Sequence, residues 1–429
     1  MRLPLHLRIL VGAGLGAGAG VAAHLLLADA PGLALFLRYV AGPVGQVFLR
    51  LLFMLVLPLI FCALALGVSE LGDVRRLGRV GLKTLGYTTL LSGIAVLLGV
   101  GLVNVLRPGE GMSPQVRARL TEGAAERAAT MAAGAAPRTG VDLVVQMVPD
   151  NPVRAAAQGE MLAWMVFSLM IGIGLTLAPT PAARRFQEAL EGLYDVSMAL
   201  IRLVIAMAPL GVAALLFSLT AQLGYEVLVQ LARYVAVVLL ALAIHQFGVF
   251  ALAVRVLGGM APLRFYRAIQ EAMVTAFSTA SSSATLPTAL RAAEENLGLP
   301  RQVSRFVLTL GATANQNGTA LFEGVTVLFL AQFYGVPLSL GQQVVVVLIC
   351  VLGGIGTAGV PAGSIPVVAM ILGLVGVPIE GIGLILGVDR LLDMCRTTLN
   401  VTGDLALATI VSRGEPREPV MAAPTSSAV

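Results

Sequence analysis

The stretch DRLLDMCRTTLNVTGD, residues 389–404, places several ionisable side chains in one short segment between two apolar runs. These side chains are Asp389, Arg390, Asp393, Arg396 and Asp404. With Asn400 added and Arg390 left out, neighbours in this set are three or four residues apart, and on a helix they fall within roughly 80° of arc. The spacing therefore predicts one polar stripe that faces inward from an otherwise apolar helix.

The surrounding chain has the composition of a polytopic membrane protein. Of its 429 residues, 57% are hydrophobic and 12% are charged, with a mean hydropathy of +0.90, whereas soluble domains average about 25% charged residues. Apolar runs of the ~20 residues that a bilayer span requires recur along the whole chain. The net charge of +5 comes with arginines gathered in loops, which indicates membrane topology and not nucleic-acid binding.

Cysteine and histidine usage argues against a metal or redox centre. Cys62, Cys350 and Cys395 lie in apolar runs without a Cys-x-x-Cys pair, so they predict neither a disulfide framework nor a zinc site. The histidines are scattered. We expect no cofactor and no enzymatic activity, because an intramembrane protease needs a catalytic acid pair or serine–base pair, and Arg396 among the acids fits that poorly. A passive channel is a third class, which a neutralised, gated site does not favour.

Hydrophobicity predicts six helices before the chain becomes irregular. They cover residues 6–29, 34–68, 80–106, 158–178, 185–222 and 226–257. Ala28-Asp29-Ala30 resembles a signal-peptide cleavage site, but we expect an uncleaved first helix, since a polytopic protein needs no separate signal. The basic segment 75–83 marks the cytoplasmic side, and the polar segment 107–155 is expected to be a flexible extracellular or periplasmic loop.

Two later segments are interrupted in the middle. Residues 262–296 contain FSTASSSATLPTAL, and residues 341–375 contain GGIGTAGVPAGS, each between apolar arms too short to cross alone. Broken helices at membrane depth persist only where they are buried in protein or line a cavity, and a pair of them points to the site of an inverted-repeat transporter. Each is followed by a predicted full helix with a polar centre, 300–334 with NQNGT and 377–412 with the opening stretch.

The charges of the stripe have two interpretations. In the first, the charges form a structural ion-pair ladder, with Asp389 paired to Arg390 and Asp393 paired to Arg396 or Arg390. In the second, the charged side chains bind a ligand, because a charge at the bilayer centre costs ~2.5–3.5 kcal/mol and is rare without a function. The planar fork of Arg396 suits a carboxylate and Asp393 suits an ammonium group, which together describe an amino acid with an extra carboxylate.

The motifs SSSATLP, GATANQNGTALFEG, GTAGVPAG and DMCRTTLNVTGD, in this order, resemble those of the dicarboxylate/amino acid:cation symporter family, the glutamate-transporter homologues. The resemblance covers nearly the whole chain. It implies an all-α polytopic membrane protein with eight transmembrane helices and two re-entrant helical hairpins related as inverted repeats. It also implies a homotrimer in the inner (plasma) membrane, in contact with lipid, in which a transport domain moves like an elevator against a static scaffold and the second hairpin gates the site.

The resemblance also implies a domain organisation. Its boundaries are 1–79 for scaffold helices 1 and 2, 80–106 for transport-domain helix 3, 107–157 for the extracellular loop and the start of helix 4, 158–222 for scaffold helices 4 and 5, 223–261 for transport-domain helix 6, 262–299 for hairpin 1, 300–336 for helix 7, 337–375 for hairpin 2, 376–412 for helix 8 and 413–429 for a cytoplasmic tail.

Within this family's site, Arg396 is implied to bind the substrate's side-chain carboxylate and Asp393 its amino group. Thr397 is implied to lie near that amino group. The residues implied to hold the main carboxylate are Asn400 and, through their backbone, Ser281, Ser282 and Ser283, and those implied to close the pocket are Thr319 and the loop from Val360 to Gly363. One cation site is implied by Asp404, Asn315 and the carbonyls of Gly311 and Asn400. Arg396 argues against the neutral-amino-acid branch, and Asp393 against the branch that takes simple C4 dicarboxylates.

Departures from the family pattern concern the coupling ion. The helix-7 motif usually reads Asn-Met-Asp-Gly-Thr, and here Gln316 and Asn317 replace its methionine and its sodium-binding acid. Alignment of helix 3 places Thr88, Leu91 and Ser92 where that sodium site has its other ligands, and Leu91 cannot coordinate a cation. A further departure is Ala280, where many prokaryotic members carry an arginine, and Arg390 is a candidate to supply that charge.

We therefore expect a secondary active transporter of L-glutamate or L-aspartate with weakened or absent sodium dependence. Protons are a candidate driver, with Asp389 or Asp404 as candidate protonation sites. The alternatives are a conventional sodium-coupled symporter and a C4-dicarboxylate transporter.

Overall fold

The computed structural model describes residues 5–27, 30–71, 79–111, 148–158, 161–356 and 364–414, and these residues are helical without a β-strand. The α-helices are α1 Leu5–Leu27, α2 Pro31–Phe36, α3 Gly42–Met54, α4 Val56–Leu71, α5 Arg79–Leu106, α6 Pro152–Gln158, α7 Met161–Leu177, α8 Pro181–Ala206, α9 Ala208–Leu223, α10 Glu226–Ile244, α11 Phe250–Val256, α12 Pro262–Thr279, α13 Ser282–Arg291, α14 Arg301–Ala314, α15 Asn317–Tyr334, α16 Leu340–Gly356, α17 Ser364–Leu374 and α18 Ile382–Val411.

Several of these helices are candidates to cross a membrane. By length and composition the described residues contain 4 such spans, Leu7–Leu27, Pro31–Leu51, Arg79–Leu106 and Glu226–Val256. The pair α8 and α9 is a fifth candidate, bent by 56° at Met207, close to Pro209 at the start of α9, and proline is a common cause of such bends. Most of the predicted loop 107–155 and tail 413–429 lies outside the described residues, as do residues 72–78, which include the first part of the basic segment 75–83.

Glycines bring helices α1 and α9 into backbone contact. A Cβ on Gly12 would lie 2.3 Å from the carbonyl oxygen of Pro209, and one on Gly16 would lie 2.2 Å from that of Ala213. No side chain fits at these distances, so small residues every fourth position let the two backbones meet. The first helix is thereby held firmly against α9.

The Ser-rich interruption is a helical hairpin of α12 and α13. The chain reverses at Ala280, whose φ of 49° is left-handed, and Ser281 caps α13 by accepting a hydrogen bond from the Ala284 N–H at 3.2 Å. At the open end, Asn296 donates to the carbonyl of Ala268 at 2.8 Å. The two arms are therefore antiparallel, with the serines at the closed tip.

The Gly-rich interruption separates α16 from α17. Residues 357–363, which include Val360 and Gly363, lie outside the described residues. The arms meet beside that segment, where a Cβ on Gly353 would lie 3.0 Å from Cγ1 of Val367. The second arm starts at Ser364, which is 2% exposed, and this start points toward α18.

The sequence predicts one helix over 300–334, and this prediction is wrong, because α14 and α15 are separate. Asn315 and Gln316 between them have φ, ψ of −108°, 73° and −102°, 54°. The N–H of Gly318, at the start of α15, donates to Oδ1 of Asn400 at 2.7 Å. A side chain of another helix thus replaces a helical backbone partner, and the break is stabilised from outside the segment.

Helix α15 lies in the centre of the molecule. Its residues from Asn317 to Tyr334 are buried with one exception, and α15 packs against α5, α10, α16 and α18. The C-terminal half of α18 from Leu399 to Val411 is also buried on every side. Because both helices are enclosed, the polar residues where they cross are held away from the surface.

Candidate functional site

The Arg396 guanidinium is the centre of the buried polar cluster. It is 1% exposed, and Nη2 donates to Oδ1 of Asp389 and Oδ1 of Asp393, each at 2.9 Å. Nη1 donates to Oγ of Ser364 at 2.7 Å. Arg390 Nη1 lies 3.6 Å from the second carboxylate oxygen of Asp393. The sequence predicts that Asp389, Arg390, Asp393 and Arg396 lie close together, and the structure brings these four side chains together.

An aromatic ring closes one face of the guanidinium. Arg396 Cζ lies 3.8 Å from the centroid of the Phe322 ring, a cation–π contact that is strong when desolvated. Nε of Arg396 is buried with no hydrogen-bond partner among the described residues. The guanidinium therefore keeps a donor unused while its plane is fixed by the ring and its outer nitrogens are held by oxygens.

The ion pairs of this cluster join two carboxylates, Asp389 and Asp393, to two guanidiniums, Arg390 and Arg396. Asp393 pairs with both Arg396 and Arg390, as the ladder predicts, whereas Asp389 pairs with Arg396 and not with Arg390 among the described residues. An anionic ligand that binds Nη2 of Arg396 has to share it with the two acids. The ion pairs are compatible with a ligand site, because the hydrogen bonds from Arg396 to the two carboxylates hold its guanidinium in one orientation for a ligand.

Asn400 joins α18 to the break between α14 and α15. Its Nδ2 donates to Oε1 of Gln316 at 2.5 Å and to Oγ1 of Thr319 at 3.2 Å. Thr397, one turn earlier, is 5% exposed. Gly318 is required here, because a Cβ on it would lie 2.7 Å from the carbonyl oxygen of Arg396. The structure therefore gathers the implied residues of α15 and α18 at one crossing.

The implied cation ligands lie next to this crossing. Asn315 Nδ2 donates to Oδ1 of Asp404 at 2.8 Å, and Oδ1 of Asn315 has no hydrogen-bond partner among the described residues. A Cβ on Gly311 would lie 2.5 Å from Oδ1 of Asp404, so glycine permits the close approach. Carboxylate and amide oxygens suit a hard cation, but Asn315 already donates to the one acid of this set.

The residues of α5 and α15 that differ from the family pattern also lie close to one another. Ser92 donates through Oγ to Oδ1 of Asn317 at 2.5 Å, while Thr88 and Leu91 are each 2% exposed. Nδ2 of Asn317 has no hydrogen-bond partner among the described residues. The position is therefore neutral, with its amide oxygen occupied by a hydroxyl, and Leu91 offers no oxygen.

The three serines of the hairpin tip have different environments. Ser281 caps its own helix, Ser282 is 2% exposed with a hydroxyl that has no partner among the described residues, and Ser283 is exposed. Helix α13 packs against α18. Ser282 is therefore the serine whose buried hydroxyl remains available to a ligand.

Sequence reasoning missed three residues of the cluster, Phe322, Ser364 and Glu323. Glu323 is 0% exposed, and neither carboxylate oxygen has a hydrogen-bond partner among the described residues. Gly353 of the second interrupted segment lies beside it, since a Cβ there would lie 3.4 Å from Oε2. The signal was an acid inside ALFEGVTVLFLA, since ionisable residues at membrane depth are functional candidates by default.

Comparison with known proteins decides the family of this site. The sequence profile described as the sodium:dicarboxylate symporter family matches residues 5–414. The chain belongs to this family. Members of the sodium:dicarboxylate symporter family are membrane transporters, and the buried crossing of α15 and α18 lies within the matched residues.

Similar proteins include bacterial and animal transporters. The proton/glutamate-aspartate symporter of Escherichia coli (strain K12) is 33% identical over 378 residues, 87% of this chain and 85% of that protein. The proton/sodium-glutamate symport protein of Geobacillus stearothermophilus is 33% identical over 382 residues, 87% of each. The neutral amino acid transporter B(0) of Mus musculus is 32% identical over 437 residues, 92% of this chain and 77% of that protein.

Proposed function

We propose that this member of the sodium:dicarboxylate symporter family carries L-glutamate or L-aspartate across the inner (plasma) membrane. The observation that carries the proposal is the buried Arg396 guanidinium, held between Asp389, Asp393 and Ser364 at distances of 2.7–2.9 Å. A desolvated guanidinium that keeps donors for a planar anion selects a side-chain carboxylate. The bacterial relatives named for glutamate and aspartate support this substrate class.

Binding is proposed to use Arg396 for the side-chain carboxylate and Asp393 for the ammonium group. The carboxylate then takes Nη2 or Nε of Arg396, and the ammonium group compensates the negative charge of Asp393, whose ion pair with Nη2 is weakened when Nη2 is shared. The main carboxylate is proposed to lie between Asn400 and Thr319, which share a hydrogen bond of 3.2 Å, and the buried hydroxyl of Ser282.

Coupling to protons, with weak or no sodium dependence, is the proposed driving mode. Three features around α15 support it: the neutral Asn317 bonded to Ser92, the apolar Leu91, and Gln316, whose Oε1 is already used by Asn400. Asp389 and Asp404, the protonation candidates from the sequence, already accept hydrogen bonds from Arg396 and Asn315. The proposed proton carrier is instead Glu323, because an ionised carboxylate without hydrogen bonds is costly to bury and a bound proton removes that charge.

Sodium coupling is the second candidate, and one observation favours it. Oδ1 of Asn315 has no hydrogen-bond partner among the described residues and lies beside Asp404 and Gly311. These oxygens with the carbonyl of Asn400 form one possible site for sodium as a co-transported ion. The Geobacillus relative is named for both proton and sodium.

Transport is proposed to follow an elevator mechanism in a homotrimer. The glycine-mediated contact of α1 with α9 supports a rigid scaffold, whereas α5, α10, the α12–α13 hairpin, α14–α15, α16–α17 and α18 pack around the polar crossing and are proposed to move together.

Calorimetric titration tests the substrate and the ion together. L-Aspartate, L-glutamate, L-alanine and succinate are titrated into the purified protein, once in sodium buffer and once in choline buffer. The proposal expects both acidic amino acids to bind, with similar affinities in the two buffers. A hundredfold drop without sodium, about 2.7 kcal/mol of coupling, contradicts the weak sodium dependence, and binding of succinate alone contradicts the substrate class.

A further inference from the structure

Among the described residues, Ser364 is the hydrogen-bond partner of the Arg396 guanidinium that comes from outside α18. It is the first residue of α17 after the Gly-rich interruption, is 2% exposed, and accepts a hydrogen bond from Nη1 at 2.7 Å. The other oxygens on this guanidinium belong to Asp389 and Asp393 of α18 itself. The hydrogen bond of Ser364 therefore connects the second interrupted segment to Arg396, the residue proposed to bind the substrate's side-chain carboxylate.

The chemistry of a hydroxyl differs from that of the two carboxylates. Both acids compete with an anionic substrate for the positive charge of Arg396, because each brings a full negative charge to Nη2. A serine oxygen holds Nη1 without charge, and a hydroxyl that accepts through a lone pair can also donate its own hydrogen to a neighbouring oxygen. Ser364 thus satisfies a buried donor and leaves the positive charge available.

Three contacts then fix the orientation of the guanidinium. The Phe322 ring lies against its face at 3.8 Å, Nη2 is held by the acids, and Nη1 is held by Ser364. Removal of the serine oxygen leaves Nη1 buried without this acceptor, and the guanidinium is then free to turn toward Asp389 and Asp393. In that orientation fewer of its donors face a substrate carboxylate.

We propose that Ser364 is a positioning residue that presents Arg396 to the side-chain carboxylate of the substrate and so sets the preference for acidic over neutral amino acids. This inference rests on the proposed function. It assigns to α17 a part in substrate selection through Arg396.

The test compares L-aspartate with L-asparagine, which has nearly the same shape and no side-chain charge. Binding of both is measured by calorimetry or by competition on the purified full-length protein. Ser364→Ala is expected to weaken L-aspartate about tenfold, equivalent to about 1.4 kcal/mol, and to change L-asparagine binding by less than about twofold. Ser364→Thr, which restores the hydroxyl, is expected to keep most of the affinity for L-aspartate.

A matched control is Ser168→Ala. Ser168 is also buried, and its hydroxyl donates to the carbonyl of Trp164 in its own helix at 2.7 Å, so its loss is expected to leave both affinities unchanged. Ser364→Cys, with a weak acceptor of similar size, replaces the alanine variant if that one does not fold and is expected to show the same selective loss.

The outcomes separate the two proposals. Unchanged L-aspartate binding in Ser364→Ala, or an equal loss for both amino acids, overturns the positioning role while the proposed function stands. Failure of the unmodified protein to bind either acidic amino acid overturns the proposed function and, with it, this inference.

Discussion

Replacement of Glu323 by glutamine removes the proposed proton site with almost no change of shape. Glu323 is 0% exposed and neither oxygen has a hydrogen-bond partner among the described residues, so the amide breaks no bond within that part of the chain. If one proton crosses with each substrate, a gradient of one pH unit contributes about 1.4 kcal/mol, or roughly tenfold accumulation. Glu323→Gln is expected to lose this contribution and to keep substrate binding.

The assay is uptake of radiolabelled L-glutamate into proteoliposomes in sodium-free buffer, with the interior buffered alkaline. Unmodified protein is expected to accumulate substrate as the external pH falls, whereas Glu323→Gln is expected to exchange internal for external substrate without net accumulation. Glu188→Gln is the control, because Glu188 is exposed on α8. Equal responses of Glu323→Gln and unmodified protein to the pH gradient would refute the reasoning.

Three further predictions concern binding, packing and ion dependence. Arg396→Lys keeps the charge but loses the planar fork, and is expected to weaken L-aspartate by roughly ten- to a hundredfold, about 1.5–3 kcal/mol, in calorimetry. Gly16→Ala is expected to lower the thermal unfolding temperature, since its Cβ would meet Ala213 at 2.2 Å, whereas Gly14→Ala, with open space around it, is expected to be neutral or stabilising. Asn317→Asp combined with Leu91→Thr restores an acid and a side-chain oxygen, and is expected to make L-aspartate binding depend on sodium, measured by titration with and without the ion; no new dependence contradicts the role given to these positions.

The polar stripe could be predicted from the sequence because it is a property of one helix. A spacing of three or four residues fixes the shared face of Asp389, Asp393 and Arg396, and in the structure both acids accept hydrogen bonds from Arg396. The Ser-rich turn is similarly local. Its reversal at Ala280 falls within the interruption visible in the sequence.

Features that depend on distant partners could not be predicted. The break at Asn315 and Gln316 is stabilised by Asn400, whose side chain accepts from Gly318 across 82 residues. Ser364 contacts Arg396, which lies 32 residues later in the chain, and the local sequence pattern of neither segment predicts this contact. Long-range contacts of this kind are set by how the helices pack.

Glu323 is a different kind of omission. Its burial follows from an apolar run long enough to be enclosed, so the sequence contained the signal. The acid lies four residues after Thr319, in the apolar run that follows NQNGT. Its position at membrane depth indicates function without reference to any family motif.

Sodium-free uptake driven by a pH gradient tests the central claim most directly. Proteoliposomes with an alkaline interior and an acidic exterior, in choline buffer, receive radiolabelled L-glutamate or L-aspartate. The account predicts concentrative uptake that collapses when a protonophore removes the gradient and that does not increase when sodium replaces choline. Uptake that occurs only with a sodium gradient, and is indifferent to the pH gradient, would contradict it.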